Sequence, residues 1–103
     1  MSLCTPAEER SLRSWNILRD YLSLKDELIA FARTVYLVAK QFINPNPPLP
    51  QECEGGIIAA LLSSPGFIKL LKSKRIIKEE DWSYFARAMA HYLLDKHWDE
   101  IIK

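Results

Sequence analysis

Histidine and aspartate side chains near the C-terminal end of the chain come closest, by type and spacing, to a chemical site. His91 and Asp95 are four residues apart, so on a helix they share one face and can interact. Together they supply at most two metal ligands, whereas a metal site needs three or four. His97 follows His91 by six residues, which places it roughly 240° around the same helix. We therefore predict a surface salt bridge between His91 and Asp95 and no metal site.

The two cysteines carry no sign of nucleophilic activation. Cys53 lies between Glu52 and Glu54, whose negative charges raise the pKa of a thiol rather than lower it. Cys4 precedes the first predicted helix, and the chain has no Cys-x-x-Cys pair, phosphate-binding glycine loop or zinc-protease motif. We expect no catalytic residue, no metal and no cofactor, and hence a protein that is not an enzyme.

One segment is strongly basic although the whole chain has a net charge of only +1. Residues 55–78 contain five basic residues and no acidic one, which leaves the rest of the chain at −4. Such a cluster can be a solvated face, can bind a nucleic acid or another polyanion, or can dock on an acidic protein surface. The candidate polyanion-binding residues are Lys69, Lys72, Lys74, Arg75 and Lys78.

The composition is that of a single folded domain. The chain has 103 residues, of which 49% are hydrophobic and 26% charged, and this argues against a disordered chain. Two cysteines are too few for a disulfide scaffold. No apolar run approaches the ~20 residues of a membrane span, and the N-terminal residues lack the apolar region of a signal peptide. We expect a cytoplasmic protein with reduced thiols and no membrane association.

Caps and apolar periodicity predict an all-α fold, a compact bundle of four to five helices. Thr5-Pro6-Ala7-Glu8 fits a capping box with proline at the first helical position. Ser64-Pro65 repeats the pattern of an N-cap followed by proline. Four prolines within residues 44–50 end the second helix and form a stiff crossover to the third. The predicted helices cover residues 6–22, 24–43, 54–63, 65–73 and 79–102, with the Pro-rich loop at 44–50.

The apolar positions of these helices define the expected core. The second helix has apolar residues over more than half of its circumference, so it should lie centrally in the bundle. The predicted core residues are Leu28, Phe31, Val35, Phe42, Leu61, Phe67, Leu70, Phe85, Met89 and Leu93.

The last predicted helix is long for a bundle of this size. Residues 79–102 contain no glycine or proline, so the helix can run for about 35 Å, whereas helices average about 12 residues. Its end would then overhang the bundle and present a second apolar stripe to a partner. The alternative is a bend near Asp95 that packs Trp98 onto Trp15 or Tyr21. The candidate self-association residues are Leu94, Trp98, Ile101 and Ile102.

One function is favoured by three features of the sequence, namely the absence of catalytic motifs, the eleven aromatic residues and the long last helix. We expect a non-enzymatic protein–protein interaction module that self-associates, with a homodimer as the simplest form. The alternative is a nucleic-acid-binding accessory protein that uses the basic segment 69–78.

Overall fold

The part of the chain that the computed structural model describes, residues 2–42 and 46–103, is mostly helical. No strand occurs within these two ranges, which confirms the predicted all-α fold class. Short 3₁₀ turns lie at Tyr21–Leu24, Pro50–Glu52 and Glu79–Asp81. The α-helices are α1 (Pro6–Ser14), α2 (Ile17–Asp20), α3 (Lys25–Phe42), α4 (Glu54–Leu62), α5 (Pro65–Ser73), α6 (Trp82–Lys96) and α7 (Trp98–Ile101).

The first helix starts where the sequence predicts and ends earlier. Thr5 Oγ1 accepts a hydrogen bond from the Glu8 amide at 3.1 Å, and the Glu8 carboxylate accepts one from the Thr5 amide at 3.0 Å. The predicted continuous helix 6–22 is wrong, because Asn16 takes a left-handed conformation with φ 59°, which asparagine tolerates. In an unbroken helix Leu12 and Ile17 would point about 140° apart. The turn at Asn16 allows both side chains to be fully buried.

The core forms around α4, which packs against both α3 and α6, the two longest helices. α4 approaches α3 closely at Gly56, where an added Cβ would lie 2.6 Å from Cγ1 of Val35. The predicted core is largely confirmed, with Phe31 and Val35 half-buried rather than buried. The predicted core residues found buried are Leu28, Leu61, Phe67, Leu70, Phe85, Met89 and Leu93.

Phe42 is the one predicted core residue that the structure places in solvent, with 80% of its surface exposed. α3 has 18 residues and is about 27 Å long, whereas its neighbour α4 has nine and is about 13 Å long. The buried positions of α3 are Leu28, Ala32 and Tyr36, so burial stops before its last turn. The predicted position of Phe42 is therefore wrong, because the neighbouring helices do not extend that far.

The predicted helix 79–102 is broken into three pieces. A 3₁₀ turn covers Glu79–Asp81, α6 ends at Lys96, and the chain turns at His97, where φ is −124°, before α7. α7 folds back against α3, where the Trp98 ring meets the Tyr36 ring edge-on with centroids 5.6 Å apart. The overhanging helix is therefore wrong. The predicted alternative of a bend is closer, although it lies at His97 and brings Trp98 to Tyr36 rather than to Trp15 or Tyr21.

Part of the predicted Pro-rich loop 44–50 can be compared with the structure. Asn44 and Pro45 lie outside the described residues, as does Ile43, the last residue of the predicted second helix. Residues 46–49 are not helical, and Pro50 begins a 3₁₀ turn. Among the described residues no single helix has the length and apolarity to cross a membrane. One pair of segments, Pro50–Leu62 and Pro65–Ser73, reaches that length and apolarity when taken together, but the two are bent by 69°.

Candidate functional site

His91 lies inside the molecule, at the junction of three helices. Its Nδ1 is 3.0 Å from Oε1 and 3.2 Å from Oε2 of Glu8 on α1. Its Nε2 is 3.2 Å from Oε1 of Glu54 on α4, an ion-pair contact that is not aligned as a hydrogen bond. The predicted surface pair of His91 with Asp95 is wrong. Tertiary packing places the buried carboxylate of Glu8 and the half-buried carboxylate of Glu54 beside the two ring nitrogens, so His91 pairs with other helices rather than with a neighbour on its own helix.

Asp95 has a different role, because it fixes the N-terminal segment. Its carboxylate accepts hydrogen bonds from the Leu3 and Cys4 amides, both at 2.8 Å, and from the Ser2 hydroxyl at 2.7 Å. Burial alone would raise the pKa of Asp95, but these three hydrogen bonds outweigh it and lower the pKa. The carboxylate is thus a fixed anion that anchors the start of the chain to α6.

The charge states of Glu8 and His91 favour an ion pair. Burial alone would raise the pKa of Glu8, but hydrogen bonds from Thr5 and His91 outweigh it and lower the pKa. Burial alone would lower the pKa of His91, yet the carboxylates of Glu8 and Glu54 raise it above 6.5. We call His91, Glu8 and Glu54 the histidine cluster. It joins α6 to α1 and α4, so its geometry is that of a packing contact.

The second histidine belongs to a chain of hydrogen bonds that holds α7 in place. Nδ1 of His97 donates to Oε1 of Glu100 at 3.0 Å, and the Tyr21 hydroxyl hydrogen-bonds to Nε2 at 3.1 Å. Glu100 in turn pairs with Lys25 at 3.3 Å. Burial, followed by the neighbouring Tyr92, raises the pKa of Tyr21 to about 12, so a reactive phenolate is not available near neutral pH.

A cavity of about 550 Å³ lies between the N-terminal segment, the turn at Pro50 and the C-terminal end of α6. Cys4 and Asp95 line it, whereas His91 and His97 do not. Burial, then the charges of Glu8 and Asp95, raise the pKa of Cys4 to about 11. The thiol is therefore protonated at neutral pH and weakly nucleophilic. The Asp95 carboxylate that shares the cavity accepts hydrogen bonds from the Leu3 and Cys4 amides, and its negative charge disfavours the thiolate of Cys4.

Cys53 is not activated as a nucleophile either, and the described residues form no metal site. Burial, then the charge of Glu52, raise the pKa of Cys53, which agrees in direction with the effect predicted from its acidic neighbours. Across residues 2–42 and 46–103, no group of three His, Cys, Asp or Glu side chains is arranged to hold a metal ion.

The basic segment is only partly available to a ligand. Lys69, Lys72, Arg75 and Lys78 are exposed, whereas Lys74 forms an ion pair with Asp20. The Lys72 ammonium lies over the Trp82 ring, 5.9 Å from its centroid. The exposed acids of the turn Glu79–Asp81 follow directly. The structure thus leaves four of the five predicted cations exposed and uses the fifth within the fold.

The predicted self-association residues do not form one exposed stripe. Leu94 and Ile101 are buried, with 2% and 0% of their surfaces exposed. Trp98 is half-buried against Tyr36, and only Ile102 is substantially exposed. Because the helix turns at His97, these side chains pack within the chain. Self-association through them loses its geometric basis, and self-association itself stays a prediction.

Exposed apolar side chains also lie on the C-terminal half of α3, and the sequence reasoning missed them. Leu37 is 44% exposed and Val38 50% exposed, and Phe42 follows on the next turn. We call these three residues the α3 surface. Leu49, within the Pro-rich loop, is exposed as well. The signal was available in the sequence, because Leu37 lies off the stripe that begins with Leu28 and Ala32. Because apolar residues cover more than half of its circumference, the helix was predicted to lie centrally in the bundle.

Comparison of the chain with protein-family models, with curated proteins and with solved structures finds no match.

Proposed function

We propose that this chain is a small non-enzymatic helical module for protein–protein interaction, and that it self-associates. The single observation that carries the proposal is the α3 surface. Isolated exposed apolar residues are common on soluble proteins, whereas neighbouring ones on one face are typical of interaction sites. Val38 and Phe42 lie four residues apart on one face of α3, and Leu37 lies about 100° from Val38 at the edge of the same exposed arc. The exposed Leu22 and Ile76 lie elsewhere in the chain.

The non-enzymatic part of the proposal is supported by how the reactive side chains are used. Both imidazoles contact carboxylates that bind neighbouring helices together. Burial raises the pKa of both thiols, which disfavours the thiolate form. Both cysteines are free, which is typical of proteins in a reducing compartment such as the cytoplasm. The proposal therefore includes a cytoplasmic location.

Self-association is tested by sedimentation of the parent chain from low to high micromolar concentration. We expect the mean mass to rise above the 11.9 kDa of the monomer as the concentration increases. The double substitution Leu37→Ser, Val38→Ser should shift this rise to about tenfold higher concentration, since two apolar side chains together lose about 1.4 kcal/mol of burial. Leu22→Ser with Ile76→Ser, which changes two more exposed apolar residues outside α3, is the control and should leave the concentration dependence of the mass as in the parent. A parent that stays monomeric throughout contradicts the proposal.

We propose binding of a nucleic acid or other polyanion as the second candidate function. The observation that favours it is the exposure of Lys69, Lys72, Arg75 and Lys78 along α5 and the turn after it. The exposed acids at Glu79–Asp81 weaken the local positive potential, and for this reason the candidate ranks second.

Binding of labelled generic DNA and RNA, followed by fluorescence anisotropy at several salt concentrations, tests the second candidate. Replacing Lys69, Lys72 and Arg75 with alanine removes three phosphate contacts, which should flatten the logarithmic salt dependence by about 2–3 units. The control is Lys103→Ala, since this lysine is exposed and outside the segment. The absence of binding by the parent at low salt would reject this function.

A further inference from the structure

The outward side of α3 has the residue spacing of a helix-pairing seam. Ala30, Thr34, Leu37 and Gln41 follow one another at steps of four, three and four residues, and all four are exposed. Alternating steps of three and four place side chains along one line where two helices meet. None of the four is charged, and the small Ala30 and Thr34 allow a second helix to come close.

The charges that border this seam favour one orientation of a second helix. Asp26, Arg33 and Lys40 repeat every seven residues along one edge, and Asp26 and Lys40 are exposed. Within the described residues neither Asp26 nor Lys40 takes part in an ion pair. In a parallel pair of α3 helices, this charged edge would face the opposite edge of the other copy, which carries Phe31 and Val38, so no opposite-charge contact would form. In an antiparallel pair, Asp26 of each copy lies beside Lys40 of the other, so two opposite-charge contacts form.

We infer that the partner of the α3 surface is a second copy of this chain, bound through α3 in antiparallel orientation about a two-fold axis. This inference rests on the proposed self-association. In this register Leu37 lies opposite Thr34 of the second copy, so a large side chain meets a small one. Val38 packs on the second copy's half-buried Phe31. The arrangement is self-complementary, as a two-fold contact requires.

The short length of the seam and a like-charge contact at its centre should both keep the association weak. The seam from Ala30 to Gln41 is only about 16 Å long, which makes an interface at the small end of the range for specific complexes, and these associate weakly. Near the axis Arg33 faces Arg33 of the second copy, a like-charge contact. Its removal should therefore strengthen association, an effect that a parallel pair does not predict, because Arg33 does not meet Arg33 of the other copy there.

A charge exchange measured by sedimentation tests the pairing. Asp26→Lys alone, and Lys40→Asp alone, should each weaken self-association about five- to tenfold, because each turns two attractive contacts into repulsive ones. The double variant Asp26→Lys, Lys40→Asp should recover the parent's association within about twofold. Arg33→Ala should associate more tightly than the parent. Far-ultraviolet circular dichroism of each variant checks that α3 is still formed, and recovery in the double variant excludes simple misfolding.

The possible results separate this inference from the proposed function. A parent that associates, with single variants that the double variant does not rescue, overturns the antiparallel pairing and leaves the proposed self-association intact. A parent that remains monomeric overturns both, and the α3 surface would then belong to a different protein partner. Weakening by each single substitution, with rescue in the double variant, supports the pairing.

Discussion

Leu94→Ala should lower the free energy of unfolding by about 2–5 kcal/mol, the cost of deleting most of a buried leucine side chain. The structure buries both Leu94 and its neighbour Leu93, although consecutive helical residues point about 100° apart. Both can be buried because α6 has neighbours on more than one side, with α1 and α4 against it and α7 folded back after it. Urea unfolding followed by circular dichroism at low protein concentration measures the effect.

Two further leucine-to-alanine substitutions, one at a buried and one at an exposed position, serve as references for the loss of stability in Leu94→Ala. Leu93→Ala, with the side chain fully buried, should cost about the same as Leu94→Ala. Leu22→Ala makes the same change at a side chain that is 63% exposed, and it should change the stability by less than about 0.5 kcal/mol. If Leu94→Ala behaved like Leu22→Ala, Leu94 would be a surface residue, and the predicted stripe of Leu94 and Ile101 would regain its basis as an interface.

The sequence predicts the starts of helices well because those signals are local. The capping box at Thr5 needs only the next three residues, and the structure shows both of its hydrogen bonds. Ser64 likewise caps α5, where its hydroxyl accepts from the Phe67 amide at 3.2 Å. In both cases proline at the first helical position supports the start. Neither signal depends on the rest of the fold, and for this reason both were readable.

The break at Asn16 was not predicted, and the break at His97 was predicted only as the alternative of a bend near Asp95, because both depend on distant contacts. Asn16 has no glycine or proline beside it, and its left-handed turn is favoured by the burial of Leu12 and Ile17 on either side. The turn at His97 is held by Tyr21, 76 residues away along the chain. Helical periodicity extends across such positions, so sequence reasoning made two helices too long.

The environment of His91 was outside the reach of sequence reasoning for the same reason. Glu8 is 83 residues from His91 along the chain, whereas a helix rule considers only neighbours three or four residues away. The α3 surface could have been inferred in part, because Leu37 lies off the apolar stripe of its helix. Which side of α3 faces solvent depends on where α4 and α7 pack, and no local pattern specifies that.

The histidine cluster makes stability depend on pH in a direction that can be worked out. The pKa of His91 is raised above its ordinary 6.5, so the stability it contributes is full below 6.5 and is lost as pH rises through the raised value. The pKa of Glu8 is lowered below its ordinary 4.5, so its contribution is full above 4.5 and is lost as pH falls through the lowered value. Asp95 also has a lowered pKa and acts in the same direction as Glu8.

We therefore expect the free energy of unfolding to be highest between about pH 4.5 and 6.5 and to decline on both sides. His91→Gln keeps a hydrogen-bond donor near Glu8 but cannot gain a proton, so it should lower stability by about 1–3 kcal/mol at pH 6 and flatten the decline above pH 6.5. Glu8→Gln should reduce the decline at low pH and shift the imidazole titration of His91, followed by nuclear magnetic resonance, to lower pH. Glu9→Gln, on the same helix as Glu8 and outside the cluster, is the matched control and should leave that titration in place. If the slope above pH 6.5 were the same in His91→Gln as in the parent, the histidine cluster would not be the source of the pH dependence.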